Sequence, residues 1–369
     1  MTKNLSIFSL KKIYFIYYMN KLKLYLDGNT INYITENLDF EETSLNECDY
    51  ILSSKFDFGI YDYKPIQNIL NTYTNINKTV IIFLITDSTD KFNIPKNVFL
   101  FRTSLYKSIQ SKNEYLLPYV WEKIDKPFNI LKKTEKPIIG FCGQVDNNRV
   151  NLINALQKRN DLTINFIIRK KFWGGAPNDP KLFDQFTDNI INSHFTVCNR
   201  GRGNFSMRFY QTLSAGRIPI LIDTDMVFPF ENKIDWHSII IIGSCENDVI
   251  NKILDWWNNR NIEEIQVKCK EVYDNFFDKK KYFNKIFYNI MKNNIYGLYN
   301  DLIHMNKNEL IDHYEKYGKY EDRLTKLPDN FDINIYREKN EDLLLLNDKE
   351  LLKHFVNHGY YEKRCCSEL

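Results

Sequence analysis

Long apolar runs, one-sided charge and paired cysteines are all missing from this 369-residue chain, and each absence removes a class of function. The longest candidate for membrane insertion, Ile13–Met19, is a third of the ~20 residues that a spanning helix requires. It follows Lys11 and Lys12 and has no small-residue cleavage site after it, so it reads as a first strand or a leader before Met19. The chain is therefore expected to be cytoplasmic and at most peripheral to membranes. Fifty basic residues face 47 acidic ones, a net charge of +3. Nucleic-acid grooves carry a one-sided basic excess, so a nucleic-acid partner is not expected.

The seven cysteines (48, 142, 198, 245, 269, 365 and 366) form an odd set with no Cys-x-x-Cys spacing. Zinc knuckles and disulfide frameworks are disfavoured, and reduced thiols in the cytosol fit the pattern. The six histidines are scattered, and His194 beside Phe195 reads as structural. No Gly-x-Ser-x-Gly elbow occurs, so hydrolase chemistry has no support.

What is present is an alternation of short apolar runs and helical spacers, the pattern of open α/β sheets. Strands are expected at Leu22–Leu26, Asp49–Leu52, Phe58–Ile60, Val80–Ile85 and Val98–Phe101. A polar hinge with prolines at 127 and 137 follows over Lys123–Lys136. Beyond it come strands at Ile138–Gly143, Leu162–Ile168, Phe195–Cys198, Ile218–Ile222 and Ile239–Ile242, with a helix over Arg149–Gln157. Residues 251–291 read as helical. Leu302, Glu309, His313, Gly318, Tyr320, Glu321 and Arg323 recur 41 positions later as Leu343, Glu350, His354, Gly359, Tyr361, Glu362 and Arg364. A repeat of that period stacks as helix pairs, because one unit cannot bury its own apolar face. A docking or glycan-binding role for the tail is the other reading. The expected domains are 1–135, 136–292 and 293–369.

The most informative stretch is 198–236. A glycine-bearing loop, Arg200-Gly-Arg-Gly-Asn204, runs into a helix over Ser206–Ala215, which Gly216 ends. Asn204 or Ser206 can cap that helix, and the backbone N–H groups of Gly203–Ser206 are expected to be free donors at the positive end of its dipole. Arg208 adds a permanently charged fork suited to phosphate oxygens. Gln211 lies three residues on, on the same face, where it can hydrogen-bond ribose hydroxyls. As a dinucleotide fingerprint the loop is incomplete, since Ser206 stands where the third glycine would be and no P-loop Lys-Ser/Thr pair occurs. A dinucleotide-dependent oxidoreductase is accordingly the weakest option. Asp223-Thr-Asp225 invites a metal reading, but a strand-end turn is the preferred one. Lys170-Lys171 and Phe172-Trp-Gly-Gly175 read as a strand-to-helix connection.

Arg200 through Ile220, with Phe228-Pro-Phe230 and Ile234-Asp-Trp236, resembles the signature of the exostosin-type glycosyltransferases (glycosyltransferase family 47), of the bacterial and large-virus kind. Ile139-Gly-Phe-Cys-Gly143 with Arg149 resembles the first strand-turn-helix of that family's donor domain. Phe101-Arg-Thr-Ser104 and Glu114 with Pro118-Tyr119 resemble its acceptor side. The resemblance covers about residues 20–290. It implies a GT-B architecture: two Rossmann-like domains facing a cleft, here with an all-α repeat extension. It also implies an inverting sugar transfer from a nucleotide donor, most often UDP-linked, to a glycan-type acceptor, without a permanently bound cofactor or metal. Donor contacts then fall to Gly143, Arg149, Arg200, Gly201, Gly203, Asn204, Ser206, Arg208 and Gln211. Arg208 meets the leaving charge. The general base is sought in the N-terminal half, with Asp87 first and Glu114 second. The family usually has Glu where this chain has Gln211, so a non-catalytic carbohydrate-binding scaffold on the same fold is the alternative. The tail resembles those of large-virus and bacterial surface-polysaccharide transferases, and residues 293–369 are the expected place for a protein partner.

Overall fold

The computed structural model describes residues 22–27, 40–53, 63–120, 123–176, 178–231, 233–279, 281–283, 286, 298–302, 313, 316–321, 323–324, 327–328 and 331–367. Two compact units can be distinguished. One is drawn from Met1–Ser53, Asn75–Val80 and Phe283–Leu369, the other from Ser54–Thr74 and Ile81–Tyr282.

The first sheet comprises β1 (Leu22–Asp27), β2 (Phe40–Glu42), β3 (Tyr50–Ser53), β4 (Thr79–Leu84), β5 (Val98–Arg102) and β6 (Glu114–Leu116), in the order β2-β1-β3-β4-β5-β6. The pairs β1–β2, β1–β3 and β5–β6 are parallel. In β4, Val80 through Leu84 are fully buried, which is why the run Thr-Val-Ile-Ile-Phe-Leu shows no polar alternation. Helix α1 (Tyr63–Asn71) buries Ile66 and Leu70.

The second sheet contains β7 (Ile138–Gln144), β8 (Thr163–Arg169), β9 (Phe195–Val197), β10 (Ile218–Ile222) and β11 (Ile241–Gly243). Its order is β11-β10-β9-β7-β8 and every pairing is parallel. Counted from β7, this is the doubly wound order 2-1-3-4-5. The connections carry α2 (Val150–Gln157), α3 (Pro180–Ile191), α4 (Met207–Ser214) and the short α5 (Trp236–Ile239); α6 (Glu246–Asn259) and α7 (Ile262–Val272) follow β11. Asp179 caps α3 by accepting from the Lys181 amide, with Pro180 at the first helical position, where a missing N–H costs nothing. Two Rossmann-like parallel sheets are the α/β, GT-B type of architecture that the sequence implies.

The expected strands recur within two residues at their ends, with Phe58–Ile60 and the Ile13–Met19 run outside the described residues. The helical region expected from 251 begins earlier, at Glu246, and its first two helices part at Arg260–Asn261. There the Asn261 side chain caps α7 by accepting from the Glu264 amide.

Helix α4 is almost wholly enclosed, with Arg208 through Ser214 buried. It ends in a Schellman motif: the Gly216 amide donates to the Leu213 carbonyl and the Arg217 amide to Thr212, both at 2.9 Å. Gly216 sits at φ +62°, and a Cβ there would lie 2.3 Å from the Phe128 ring.

In the C-terminal part, α8 (Ile333–Glu338) and α9 (Asp348–His354) pack around Tyr336, Leu351, Leu352 and Phe355. Asn347 and Glu350 form a reciprocal capping box at the start of α9. Arg323 pairs with Asp301 and Glu321, and Arg364, 41 positions on, pairs with Asp342 and Glu362. The recurring His354 accepts or donates a 2.9 Å bond with the Tyr336 hydroxyl. Most of the first copy, 306–323, lies outside the described residues.

Replacing Gly216 by Ala should destabilise the chain by at least about 1–2 kcal/mol, the cost of a left-handed L-residue, with the Phe128 overlap added. A urea midpoint equal to the parent would contradict this account of the α4 terminus.

Candidate active site

Open α/β sheets bind ligands at the carboxyl ends of their strands, where the winding reverses. In the second sheet that reversal lies between β7 and β9. Their ladder is short, pairing Ile139 with Phe195 and Gly140 with Thr196. Beyond it the guanidinium of Arg208 fills the widening gap. Its Nη2 donates to the Cys142 carbonyl at 2.9 Å and its Nη1 to the Val197 carbonyl at 3.2 Å. The ring of Phe141 lies 4.5 Å away and that of Phe186 5.7 Å. Gly143 completes the fit, because a Cβ at that position would stand 2.7 Å from Arg208 Nη2. Helix α4 thus delivers its second residue to the switch point.

Buried charges are normally paired, and two buried arginines of this sheet can be compared. Arg217 places all three nitrogens on oxygen: the carbonyls of Ile191, Ala215, Gly216 and Asn129, and the Gln266 amide. Arg208 has only its two carbonyls, and its buried Nε has no acceptor. Among the described residues, no carboxylate acts on it. Burial pushes its pKa down to about 10, Arg149 and Arg169 add to that, and only the thiols of Cys198 and Cys142 oppose it. Those thiols are neutral: burial raises both, Cys198 to about 11. Arg208 is therefore a cation short of an anion.

Arg149 lies just before α2. It donates to the carbonyls of Gln144 (3.0 Å) and Asn199 (3.4 Å) and pairs with Asp146 at 3.6 Å. Burial lowers its pKa and Asp146 partly restores it. Gly201 is fixed through its carbonyl, which accepts from the Asn148 side chain at 2.8 Å.

The loop 200–204 is held from the other sheet by the segment after β5. Ser104 Oγ accepts from the Asn204 amide at 2.6 Å, the Asn204 side-chain amide donates to the Leu105 carbonyl, and Arg200 Nη1 donates to the Tyr106 hydroxyl at 2.6 Å. Asp87, after β4, lies against Gly203, where a Cβ would stand 2.8 Å from its Oδ1; burial raises its carboxyl pKa, while Arg202, the Gly203 amide and Arg200 lower it. These contacts correct one expectation. The amide of Asn204 is not an open donor, because the Ser104 hydroxyl already occupies it. Asn204 is a tie between loops instead of a cap, its Oδ1 accepting from Arg200 and Thr224. Ser206 is the N-cap of α4, and its side chain makes no capping bond.

Glu114 is a second correction. Its carboxylate meets Arg102 Nε at 2.9 Å, with both side chains 0% exposed, and accepts from the Ser111 amide. A base must reach the proton it removes, and this one is sealed beneath the first sheet's edge. Gln211 is 2% exposed, one turn deeper than Arg208. Asp223-Thr-Asp225 forms the expected turn. Asp225, at φ +59°, accepts from the Ser108 amide and hydroxyl, and the Asp225 amide donates to Asp223. His194 is structural: its Nδ1 accepts from the Ile138 amide and its Nε2 meets the Lys132 carbonyl. Among the described residues, no group of three metal-ligating side chains comes together, and no helix is long and apolar enough to cross a membrane.

The roles of Ser104 and Tyr106 depend on loops meeting across the two sheets, and Gly143's packing on Arg208 on β7 meeting α4, which local spacing does not display. The whole arrangement around β7, β9 and α4 falls within one matched segment. Residues 128–253 match the Exostosin GT47 domain. Exostosin-1 of Drosophila melanogaster is 48% identical over 124 residues, 32% of this chain and 16% of that protein. The Exostosin-1 homolog of Caenorhabditis elegans is 32% identical over 92 residues, 24% of each. The chain thus spans about a quarter or less of these relatives' length. Among solved structures, TarM aligns with 76% of this chain and 56% of its own at 13% identity and a TM-score of 0.38. The lipopolysaccharide-biosynthesis glycosyltransferase WaaG aligns with 72% of this chain and 97% of its own, at 10% identity and a TM-score of 0.35.

Replacing Glu114 by Ala should cost about 3–5 kcal/mol of stability by stranding Arg102. Urea denaturation reads this directly, and a loss below about 1 kcal/mol would show that the pair is not the buried tie described.

Proposed function

We propose that the chain is an inverting glycosyltransferase that moves a sugar from a nucleotide donor to a hydroxyl of a glycan-type acceptor. The observation that carries this reading is Arg208, a buried cation without a carboxylate at the β7–β9 switch point. A diphosphate is the ligand that such a place suits best. The exostosin match over the same residues supports sugar transfer as the chemistry, and the resemblance of the 200–220 signature makes UDP the expected carrier.

In this mechanism the acceptor hydroxyl attacks the anomeric carbon while the nucleoside diphosphate leaves from the opposite face. Arg208 and Arg149 meet the charge that develops on the leaving group, in a dry site where such stabilisation is strongest. Asp87 takes the hydroxyl proton. It lies against Gly203 of the donor loop, and a carboxylate has lone pairs with which to receive the acceptor proton. Burial also suits it to the task, since a raised pKa makes a stronger base. The arginines supply the positive charge within this reading, so transfer is expected to continue in EDTA. The C-terminal residues 293–369 are assigned to a partner or acceptor and not to the chemistry.

Arg208→Ala should lower transfer, followed as UDP release, by about 10²–10³-fold, or ~2.7–4 kcal/mol, as for loss of an oxyanion donor. Near-parent turnover would remove the central claim. Binding of UDP by calorimetry separates this reading from a carbohydrate-binding scaffold, which would bind glycan alone.

Asp87 works only when deprotonated, and its pKa is shifted upward. Activity should therefore fall as pH drops through a value above aspartate's ordinary one, and Asp87→Asn should abolish that limb together with most turnover. An unchanged acid limb in the variant would assign the base elsewhere.

A further inference from the structure

Arg200 opens the glycine loop, and its half-buried side chain repeats what Arg208 shows at full burial. Its Nη1 donates to the Tyr106 hydroxyl at 2.6 Å and to Asn204 Oδ1 at 3.2 Å, and its Nη2 to the Arg202 carbonyl at 2.9 Å. All three acceptors are neutral. Its Nε is enclosed and has no acceptor among the described residues. Arg102, by contrast, meets the Glu114 carboxylate. A guanidinium held only by dipoles, with one N–H left over, keeps its charge for a ligand. The next residue brings a second cation to the loop. Gly201 leaves room for Arg149, whose Nη2 would stand 2.9 Å from a Cβ at that position. Arg149 in turn is close enough to Arg208 to add to burial in lowering its pKa.

What holds Arg200 in this pose comes from the first sheet. Tyr106 lies in the β5–β6 connection, with an extended backbone (φ −94°, ψ 141°) that forms an isolated antiparallel bridge with Met226. Its neighbours are tied to the same segment. The Val227 amide donates to the Leu105 carbonyl at 3.4 Å, and the Lys107 amide to the Asp225 carbonyl at 2.9 Å. A half-buried phenol on so fixed a backbone has lost most of its freedom on folding, so it can orient a long, flexible arginine before any ligand arrives. The pose also reaches Asp87, where burial raises the carboxyl pKa and Arg202, the Gly203 amide and Arg200 lower it.

Building on the transferase reading, we infer that Tyr106 is a positioning residue for the donor: its hydroxyl orients Arg200 so that this guanidinium, alongside those of Arg149 and Arg208, receives the diphosphate. Tyr106 touches none of the reacting atoms. It acts through Arg200, and it links the first sheet to the donor loop.

A double-mutant cycle in the full chain tests this, with UDP affinity measured by calorimetry and transfer followed as UDP release. Tyr106→Phe keeps the ring and removes the hydroxyl. It should weaken UDP binding and raise the donor KM by about tenfold, while kcat changes by less than about threefold. Arg200→Ala should weaken UDP binding at least as much. Adding Tyr106→Phe to it should then change affinity by less than about twofold, because a residue that acts through another loses its effect once that other is gone. Arg200→Gln takes the place of Arg200→Ala should the latter fold poorly. A tie that serves only the fold gives the opposite split, a lower urea midpoint with UDP affinity untouched. That result, or additive losses from the two substitutions, overturns the inference. A parent chain without UDP affinity overturns the transferase reading and this inference together. A parent that binds UDP and a Tyr106→Phe variant that binds it equally well overturn this inference alone.

Discussion

The structure turns on one placement: a guanidinium wedged where two parallel strands part. Strands β7 and β9 pair over two residues and then separate, and the carbonyls of Cys142 and Val197 are left without strand partners at that point. Arg208 satisfies both. In doing so it ties the start of α4 to the sheet and draws Gly143 and Phe141 against its plane. A cation in that position is costly to bury, because water is excluded and no carboxylate compensates. Arg217, in the same layer, shows what a purely structural arginine looks like, with every nitrogen on an oxygen. The difference between the two side chains is the strongest physical indication that something negative belongs at the switch point.

Around that wedge, the second half of the chain is organised by contacts from the first. The segment 103–106 meets the glycine loop through a serine, a backbone carbonyl and a tyrosine, and residues 107–108 meet the turn at 223–225. One short stretch after β5 therefore sets the position of two loops that follow β9 and β10. Asp87 arrives from the neighbouring loop, after β4. The consequence is that the Asn204 amide, which could receive an anion, is already committed to an acceptor within the chain, and the arginines are the charged groups that remain for a ligand.

Much of this was legible in the residues themselves. Apolar runs with β-branched side chains located the parallel strands, because strands covered on both faces carry no polar alternation. The Gly216 stop of α4 and the turn at Asp223–Asp225 could be read from local chemistry. The edge strands β2 and β6 could not, being three residues long with little apolar signal. The break between α6 and α7 was hidden because its Asn261 cap lies inside a continuous helical periodicity. At the site, Arg208 was identifiable from its spacing, whereas the fate of Glu114 was not. A carboxylate beside a strand reads the same whether it faces a cleft or an interior arginine. Only the pairing of β5 with β6 brings Arg102 beside it. The occupied amide of Asn204 was missed for the same reason, since its acceptor, Ser104, lies a hundred residues away.

The thiols beside Arg208 carry a consequence for how the protein tolerates oxidants. Cys142 and Cys198 are 1% and 2% exposed, and their enclosure keeps the proton on sulfur. Peroxide attacks the thiolate, so a cysteine that would gain reactivity beside an arginine on an open surface stays inert here. The same dry packing that leaves the guanidinium in want of a counter-charge thus shields its sulfur neighbours, and the arginine's surroundings hold their chemical state whether the medium is reducing or not.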